Sequence, residues 1–314
     1  MKRMDVLVTG YPSIDHIARV SHSPAIGETA RLLHLPDAVT FGGCGTNSGV
    51  GLARLGFEVG AAVVLGDDAF GVEYERQLVA QGIDITNVIT VPGQQTSHSY
   101  LFLNPHGQYQ NFFFPGAADA WQGDLALSGL ESYRYALVTV GPAAYNREFV
   151  AQVHAAGVPL VWSMKPDIFA YPPDVLAAFL DASAYVLMNH IEAIYVLQAL
   201  NRATVRDLLS DTTRAVIITQ GERGAAVYTA GNDVVNVPAV PPSDMVDPTG
   251  AGDGFAAGFL AGLLKGAAPA DSARLGSAVA SFVLEAVGCQ TNLPDWAAAL
   301  ARYHAYFGSF MGET

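Results

Sequence analysis

The chain has 314 residues, of which 51% are hydrophobic and 14% are charged. This composition allows a large buried core and excludes a disordered protein. The formal net charge is −13, from 16 Lys and Arg against 29 Asp and Glu, and this excludes the basic surface that a nucleic-acid-binding protein needs.

The sequence also bears on the cellular compartment. Its two cysteines, Cys44 and Cys289, are too few for a disulfide framework, so a reduced, cytoplasmic protein is expected. Residues 1–4 lead directly into an apolar segment, and no signal peptide is expected. The longest apolar run, residues 255–264, is about half of the ~20 residues that a membrane span needs, so no membrane partner is expected.

Short apolar runs alternate with helix-like stretches along the chain. Strands are predicted at 6–9, 59–65, 136–140, 160–163, 185–188 and 215–219, and helices at 46–55, 70–81, 147–156, 173–180, 192–200 and 254–264. This alternation predicts an α/β fold with a central, mostly parallel sheet and helices on both faces. Ligands of such sheets bind at the carboxyl ends of the strands.

Two segments, residues 16–40 and 95–114, interrupt this alternation. The first contains strand-like runs at 16–20 and 29–35, and the second has the pattern of a hairpin, with strands at 97–103 and 108–114. Together they predict a small sheet that stands off the main one. The alternative is that they add edge strands to the main sheet.

The run from Asp247 to Asp253, with the sequence DPTGAGD, leads into an Ala- and Leu-rich helix. A Gly-rich turn at a helix N-terminus leaves backbone N–H groups free to bind an anion. The N–H groups of Gly250, Ala251 and Gly252 are the candidates, and Asp253 stands beside them. A carboxylate next to an anion site can take the proton of a hydroxyl that attacks a phosphate. The simpler alternative is a capped helix after a glycine turn.

The same run resembles the signature of the ribokinase-like sugar and nucleoside kinases, also called PfkB carbohydrate kinases. The GGCGTNSG run of residues 42–49 resembles a second signature of that family, and the resemblance covers residues 10–296. Residues 280–294 and 110–118 resemble segments of its archaeal-type nucleoside kinases. The resemblance implies one ribokinase-like domain over residues 1–314, with residues 16–40 and 95–114 as a β lid that also serves in homodimer contacts.

Four acceptor-binding positions are implied near the N-terminus. Asp15 follows the first strand, where a carboxylate can accept two hydroxyl hydrogen bonds; otherwise it is a turn residue. The family uses an Asp at this place for sugar hydroxyls. By the same resemblance Gly42 and Gly43 form the lid hinge, and Gly43 and Asn47 contact substrate hydroxyls.

A nucleobase needs aromatic faces and amide groups, and the lid segment 109–114, YQNFFF, contains both. We assign Gln110, Phe112 and Phe114 to the base. The alternative is that these phenylalanines pack the lid or a dimer interface.

The ATP side is predicted farther along the chain. Asn189 and Glu192 share a helix face and suit a water-coordinated Mg²⁺, although a helix cap would use the same pair. By resemblance the nucleotide-binding positions are Asn189, Thr219, Gly221, Gly224 and Asn292. A monovalent-cation site, for K⁺, is implied at Asp247, Thr249, Val283, Ala286 and Gly288. Lys165 either reaches a phosphate or is a solvated loop charge, and we interpret it as the latter.

These observations predict an ATP-dependent kinase that phosphorylates the 5′-hydroxyl of a purine nucleoside or of cytidine, with Asp253 as general base. A sugar kinase for ribose or fructose is the alternative. A sensor protein on the same scaffold would not need Asp253 and the intact anion site. No Gly-x4-Gly-Lys-Ser/Thr string and no dinucleotide fingerprint occur, which excludes a P-loop kinase and an NAD-dependent oxidoreductase.

Overall fold

The computed structural model describes residues 3–34, 39–106, 108–167, 170–231, 233–310 and 312. Residues 35–38 of the predicted lid and Gly107 of the predicted hairpin lie outside this set.

The described strands are β1 (Met4–Thr9), β2 (Ser13–Val20), β3 (Leu32–His34), β4 (Thr40–Gly42), β5 (Val59–Ala61), β6 (Val64–Gly66), β7 (Ile89–Val91), β8 (His98–Leu103), β9 (Tyr109–Phe114), β10 (Tyr133–Val138), β11 (Leu160–Ser163), β12 (Ser183–Asn189), β13 (Ala215–Thr219), β14 (Ala225–Thr229) and β15 (Val235–Val237). The described α-helices are α1 (Cys44–Arg54), α2 (Ala69–Ala80), α3 (Ala117–Ala120), α4 (Ala143–Ala155), α5 (Pro173–Ala182), α6 (His190–Ala199), α7 (Ala251–Leu264), α8 (Pro269–Val283) and α9 (Trp296–Phe307). Short 3₁₀ turns lie at Leu130–Ser132, Val205–Leu208 and Gly221–Arg223.

The central sheet has, within the described residues, eight strands in the order β15-β14-β13-β12-β11-β10-β1-β5. The strands from β5 to β13 in this order are parallel, and β14 and β15 join one edge as antiparallel strands. The prediction of a mostly parallel sheet is confirmed. Its carboxyl ends meet at one edge, where Ser163, Asn189 and Thr219 end three neighbouring strands.

Helices cover both faces of this sheet. Successive residues of a strand point to opposite faces, so Leu7 and Val8 of β1 enter different hydrophobic clusters. The cluster around Val8 includes side chains from α1, α7, α8 and α9, and the cluster around Leu7 includes side chains from α4, α5 and α6. Burial on both faces explains why these strands read as continuous apolar runs.

A second, smaller sheet stands beside the first. Its strands lie in the order β3-β2-β8-β9, with β4 paired to β2. The predicted hairpin corresponds to β8 and β9, and these segments are not edge strands of the main sheet. Strand β2 begins at Ser13, before the predicted start of the lid at residue 16, so the base of this small sheet adjoins the end of β1.

The single strand predicted at 59–65 is wrong. The chain forms β5, which pairs with β1, and then β6, which pairs with β7 in a separate two-stranded ladder. Both pieces are buried, so their apolar sequence gives no sign of the break between them. None of the described helices combines the length and apolarity that a membrane crossing requires.

Candidate active site

A cavity that is open to solvent lies at the carboxyl ends of the parallel strands. Strand ends contribute Ser163, Asn189 and Thr219, the lid contributes Tyr109, and α7 contributes Asp253. The structure thus brings the signature residue Asp253 and the predicted ATP-side residues into one space. Its position agrees with the rule that ligands of parallel sheets bind beyond the strands' carboxyl ends.

Gly250 shapes the start of α7. It is the N-cap residue, with φ of 81° in the left-handed region. A Cβ built on it would lie 2.7 Å from the Cβ of Cys289, so no other residue fits without movement of the chain. Helix α7 begins at Ala251, and the first N–H groups of a helix have no partners within it. The space above Gly252 holds no described atom within 4 Å of an added Cβ, so this end of the helix is open to a ligand.

Asp253 sits in the first turn of α7 and is fixed by α1. Its Oδ2 accepts a hydrogen bond of 2.8 Å from Asn47 Nδ2, and its backbone carbonyl accepts one of 3.0 Å from Ser48 Oγ. Burial raises the pKa of Asp253, whereas the Asn47 hydrogen bond, the positive charge of Lys165 and the Cys44 thiol lower it. A carboxylate with a raised pKa is a stronger base than an ordinary Asp.

Asn47 connects this carboxylate to the C-terminal tail. Its Oδ1 accepts a hydrogen bond of 2.9 Å from Gln290 Nε2. The Asn47 amide is therefore oriented with its nitrogen toward Asp253. The sequence predicted Asn47 as a ligand of substrate hydroxyls, and the structure gives its amide two protein partners at the edge of the cavity.

Asp15 is buried on β2 and approaches the same place from the lid. Ser13 Oγ donates to its Oδ1 at 2.5 Å, and a Cβ on Gly42 would lie 2.0 Å from its Oδ2. Gly42 is therefore needed for the close approach of β4 to this carboxylate. Gly43 follows with φ of 106°, where the chain turns from β4 into α1. Burial raises the pKa of Asp15 to about 6, opposed by the Ser13 hydrogen bond and by Lys165.

The register of the lid sheet decides which residues share a face with Asp15. Paired residues on neighbouring strands point to the same side of a sheet. Asp15 pairs with Ser99, and Ser99 pairs with Phe113. Because side chains alternate along a strand, Tyr109 and Asn111 lie on this face with Phe113. Tyr109 also lines the cavity, so this face is the one turned toward Asp253.

Gln110, Phe112 and Phe114 lie on the opposite face of the lid. Phe112 pairs with Tyr100, which pairs with His16, and these three are one residue out of phase with Asp15. The sequence correctly indicated an aromatic strand with amide side chains, but the structure places the residues chosen for the nucleobase away from Asp15. The physical reason is the two-residue period of the strand, whose phase only the pairing with β2 determines.

The Asn189 and Glu192 pair forms the N-terminus of α6. Asn189 Oδ1 accepts the N–H groups of Ile191 and Glu192, and Glu192 Oε2 accepts the N–H of Asn189 at 2.6 Å. This is a capping box, so the pair forms the helix cap that the sequence analysis gave as the alternative to a Mg²⁺ site. Glu192 is nonetheless buried at the cavity wall. Burial raises its pKa to about 7, against the Asn189 N–H and the charge of Lys165.

Thr219, Gly221 and Gly224 follow β13 at the same edge. Thr219 lines the cavity, and Gly221 begins a 3₁₀ turn. Gly224 has φ of 87°, and a Cβ there would lie 1.9 Å from the carbonyl oxygen of Val237. Gly224 therefore serves the turn into β14, whereas Thr219 is the member of this group that faces the cavity.

The positions predicted for a monovalent cation meet beside α7. Asp247 is buried, and its carboxylate accepts the N–H groups of Thr249 at 2.9 Å and Gly288 at 3.1 Å. It therefore joins the signature loop to the segment that follows Val283 and Ala286. Asn292, predicted to bind ATP, donates its amide to the carbonyl oxygen of Phe282 at 2.9 Å. That contact caps the end of α8.

Lys165, interpreted from the sequence as a solvated loop charge, has an exposed side chain. It lies two residues beyond β11, and its side chain lines the cavity with Glu192 and Asp253. It lowers the pKa of Asp15, Asp253 and Glu192, although burial raises each of them more strongly. The signal in the sequence was a lysine at the carboxyl end of a parallel strand in a chain with three lysines.

Within the described part of the chain, no group of three or more His, Cys, Asp or Glu side chains is placed to hold a metal ion by itself. A cation at this site would be held together with a bound phosphate rather than in an all-protein cage.

Comparison with known proteins identifies the family. The model of the pfkB family of carbohydrate kinases matches residues 4–296. The chain is 27% identical over 305 residues to a nucleoside kinase of Methanothermobacter thermautotrophicus, covering 97% of each chain. It is 28% identical over 296 residues to a nucleoside kinase of Methanocaldococcus jannaschii, covering 94% of this chain and 95% of that one. A ribokinase of Bacillus subtilis is 28% identical over 296 residues, covering 92% of this chain and 96% of that one.

Solved structures show the same fold. The crystal structure of the Methanocaldococcus jannaschii nucleoside kinase has a TM-score of 0.84 at 25% identity, covering 97% of this chain and 100% of that one. A Burkholderia thailandensis nucleoside kinase in complex with inosine has a TM-score of 0.85 at 23% identity, covering 97% and 99%. The expected resemblance is confirmed in both sequence and fold. This protein therefore belongs to the pfkB family of carbohydrate kinases, phosphotransferases that act on hydroxyl groups.

Proposed function

We propose that this protein is a nucleoside kinase that transfers the γ-phosphoryl group of ATP to the 5′-hydroxyl of a purine nucleoside such as adenosine, inosine or guanosine, or of cytidine. The observation that carries the proposal is the lid face that Asp15 shares with Tyr109, Asn111 and Phe113. It offers a carboxylate for ribose hydroxyls, and aromatic rings and an amide for a base. The similarity to two archaeal nucleoside kinases, at 27% and 28% identity over 97% and 94% of this chain, supports it.

The charge of this face argues against a phosphorylated sugar as acceptor. A phosphate on the acceptor would require basic residues on the lid sheet beside Asp15. Arg19 stands four residues farther along β2, about 13 Å away at ~3.3 Å per residue. A neutral acceptor with hydroxyl groups and a planar base fits this distribution better.

The proposed mechanism assigns acceptor binding to Asp15 and proton transfer to Asp253. Asp15 binds hydroxyl groups of the acceptor and holds the 5′-hydroxyl toward Asp253. Asp253 takes the hydroxyl proton as the oxygen attacks the γ-phosphorus, and Asn47 keeps that carboxylate oriented. N–H groups at the start of α7 donate to the phosphoryl oxygens, whose charge is stabilised in the transition state.

The donor side would hold ATP between Asn189, Thr219 and the turn that begins at Gly221. Mg²⁺ fits beside Glu192, because this buried carboxylate lines the cavity and Mg²⁺ prefers oxygen ligands with several waters retained. When bound, the metal would neutralise phosphate charge. K⁺ would be held by Asp247, Thr249 and backbone carbonyl oxygens of residues 283–288, a segment that the Gly288–Asp247 hydrogen bond joins to the signature loop.

A sugar kinase remains the second candidate, because the Bacillus subtilis ribokinase is as similar in identity as the archaeal nucleoside kinases. Ribose would use Asp15 and Asn47 in the same way and would leave the aromatic lid face without a partner. The two candidates therefore differ in the acceptor and share the chemistry.

A coupled ADP-release assay with equal concentrations of adenosine, inosine, guanosine, cytidine, ribose and fructose separates these candidates. We expect at least one nucleoside to exceed both sugars in kcat/KM by about tenfold, equivalent to ~1.4 kcal/mol of transition-state preference. Excess EDTA in the same assay is expected to stop turnover. Ribose or fructose as the best acceptor would refute the nucleoside assignment and leave the kinase mechanism in place.

We also propose that the protein forms a homodimer through the outer face of the lid. Tyr100, Phe112 and Phe114 lie together on that face and are 42%, 61% and 43% exposed. A group of exposed aromatic rings on one sheet face is typical of a protein–protein interaction site. A second copy of the same sheet would cover them with complementary rings.

A further inference from the structure

Lys165 has an unusual place for a lysine in this chain. The sequence contains three lysines, Lys2, Lys165 and Lys265. Lys165 follows the carboxyl end of β11, retains solvent-exposed surface, and lines the cavity with Glu192 and Asp253. Among the described residues that line this cavity, it is the one Lys or Arg side chain.

Two carboxylates, Glu192 and Asp253, line the cavity with this cation, and the charge of Lys165 also acts on a third, Asp15. Burial raises the pKa of Asp15, Asp253 and Glu192, and the positive charge of Lys165 acts on all three in the opposite direction. In the proposed mechanism Asp15 marks the acceptor, Asp253 the point of transfer, and Glu192 the phosphates of the donor. Lys165 therefore lines the cavity in which the proposed donor and acceptor would meet.

The arginines that the structure describes near ionic partners are engaged elsewhere. Within the described residues these ion pairs are Arg76–Glu73, Arg134–Asp5, Arg147–Asp174, Arg274–Asp271 and Arg302–Glu285, and none of these arginines lines the cavity. The γ-phosphoryl group carries negative charge on three oxygens as it moves in line between donor and acceptor. The chain has only 16 Lys and Arg against 29 Asp and Glu, and Lys165 is the one described Lys or Arg that lines the cavity in which this charge would develop.

We infer that Lys165 is a catalytic residue whose ammonium group binds the oxygens of the phosphoryl group during transfer. The inference rests on the proposed kinase reaction at this site. The acceptor oxygen–phosphorus bond forms as the bond from phosphorus to the ADP oxygen breaks, and the hydroxyl proton goes to Asp253. Lys165 keeps its own proton throughout and donates N–H groups to the phosphoryl oxygens.

A different role for Lys165 would be that of a counter-ion, which neutralises the carboxylates of the empty site and does not contact the phosphoryl group. That role predicts a change in stability and in carboxylate pKa when Lys165 is removed. It predicts no loss of kcat at a pH where the carboxylates are ionised. The two roles are therefore separable by kinetics at high pH.

The test compares Lys165→Met and Lys165→Arg with the matched control Lys265→Met. Lys265 is exposed, and its ammonium lies 4.8 Å from the ring centre of Trp296, away from the cavity. At pH 8.5 we expect Lys165→Met to lower kcat by about 100-fold, the scale of losing one transition-state donor, with the acceptor KM changed less than about threefold. Lys165→Arg should retain about a tenth or more of kcat, and Lys265→Met should stay within about twofold.

Binding gives a second readout that does not need turnover. Titration calorimetry with Mg²⁺ should show that Lys165→Met weakens a non-hydrolysable ATP analogue about tenfold and ADP less than about twofold, since only the analogue carries the γ-phosphate. Circular dichroism confirms folding, and Lys165→Gln replaces the Met variant if that one unfolds. A kcat within about threefold of the native enzyme, with equal losses for ATP analogue and ADP, would overturn the inference.

The failure of the proposed function has a different signature. If the native protein phosphorylates ribose and no nucleoside, the nucleoside assignment fails, and the same Lys165 comparison is made with ribose. A loss of kcat in Lys165→Met with ribose as acceptor would still support the catalytic role of Lys165.

Discussion

At the scale of single residues, two carboxylates meet at the site and have different tasks. Asp253 is held by Asn47 and Ser48 at the start of α7, whereas Asp15 approaches from the lid. Burial raises the pKa of both, and both face the positive charge of Lys165. Their separation on different elements allows one to bind the acceptor while the other accepts its proton.

Replacement of Asp253 by Asn should remove the base and keep the hydrogen bond from Asn47, because the Asn side chain retains an oxygen acceptor. We expect kcat to fall by about 10²–10⁴, the usual contribution of a general base. Steady-state kinetics measures kcat, and calorimetry measures whether the variant still binds ATP. Asp181→Asn, at an exposed position of α5, is the control. Near-native turnover of a folded Asp253→Asn variant would contradict the mechanism.

Asp15→Asn should separate binding from stability. The folded-state pKa of Asp15 is about 6 against an ordinary value of 3.8, so above pH 6 the charged carboxyl costs folding free energy. Removing the charge should stabilise the substrate-free protein at pH 8 by roughly 2 kcal/mol, at ~1.4 kcal/mol per pKa unit with some relaxation. This gain should shrink as the pH falls through 6 and vanish near 4.

Urea unfolding of both proteins at pH 8 and pH 4.5 measures this difference. The native enzyme should also show an acceptor KM that rises as the pH falls below about 6, because protonated Asp15 accepts hydroxyl hydrogen bonds poorly. The Asn variant should have a high acceptor KM at every pH. An unchanged acceptor KM would mean that Asp15 is a turn residue.

At the scale of elements, helix α7 carries the site because its start is open and its remainder is buried. Residues from Gly254 to Leu264 are buried, which anchors the helix in the core. The conformation of Gly250 then sets where the first N–H groups point. A rigid, buried helix is a suitable support for an anion site, since the donors need no rearrangement during reaction.

Gly250→Ala should disturb this site far more than Gly266→Ala. Both glycines have φ near 80°, but a Cβ at Gly250 meets Cys289 at 2.7 Å, and one at Gly266 meets nothing within 4 Å. Gly266→Ala should therefore lower the free energy of unfolding by about 1 kcal/mol, the cost of a left-handed backbone conformation alone. Gly250→Ala should lower the free energy of unfolding by a further ~1–3 kcal/mol, because the added Cβ overpacks the site. It should also lower kcat by more than about tenfold. Equal effects of the two substitutions would show that the contact with Cys289 is unimportant.

At the scale of the whole molecule, the lid has two faces with different chemistry. One carries Asp15, Tyr109 and Phe113 toward the cavity, and the other exposes Tyr100, Phe112 and Phe114. A single sheet can therefore serve substrate binding on one side and association on the other. In that arrangement closure over the acceptor and dimer formation would be coupled.

Phe112→Ser should convert the proposed dimer to a monomer, because it removes the most exposed ring of the outer face. Sedimentation velocity at micromolar concentration measures the change. Tyr306→Ser, at a 52% exposed aromatic residue of α9, is the control and should leave the dimer intact. A monomeric native protein, or a Phe112→Ser variant that remains dimeric, would refute the lid interface.

The sequence by itself determined the α/β class, most of the parallel strands and the local motifs of the site. The turn at Gly250, the helix start at Ala251 and the capping pair Asn189 and Glu192 depend on short-range geometry. Their conformations follow from residue types within a few positions, so the sequence predicts them well. The family signatures added their order along the chain.

Only the tertiary structure decided which side chains meet. The face of Phe112 depends on the pairing of β8 and β9 with β2, and one residue of shift would exchange both faces of the lid. Lys165 reads as a solvated loop charge until the parallel sheet brings the ends of β11 and β12 together beside α7. Such contacts join residues far apart in the chain, and no local pattern encodes them, because they depend on how buried elements pack.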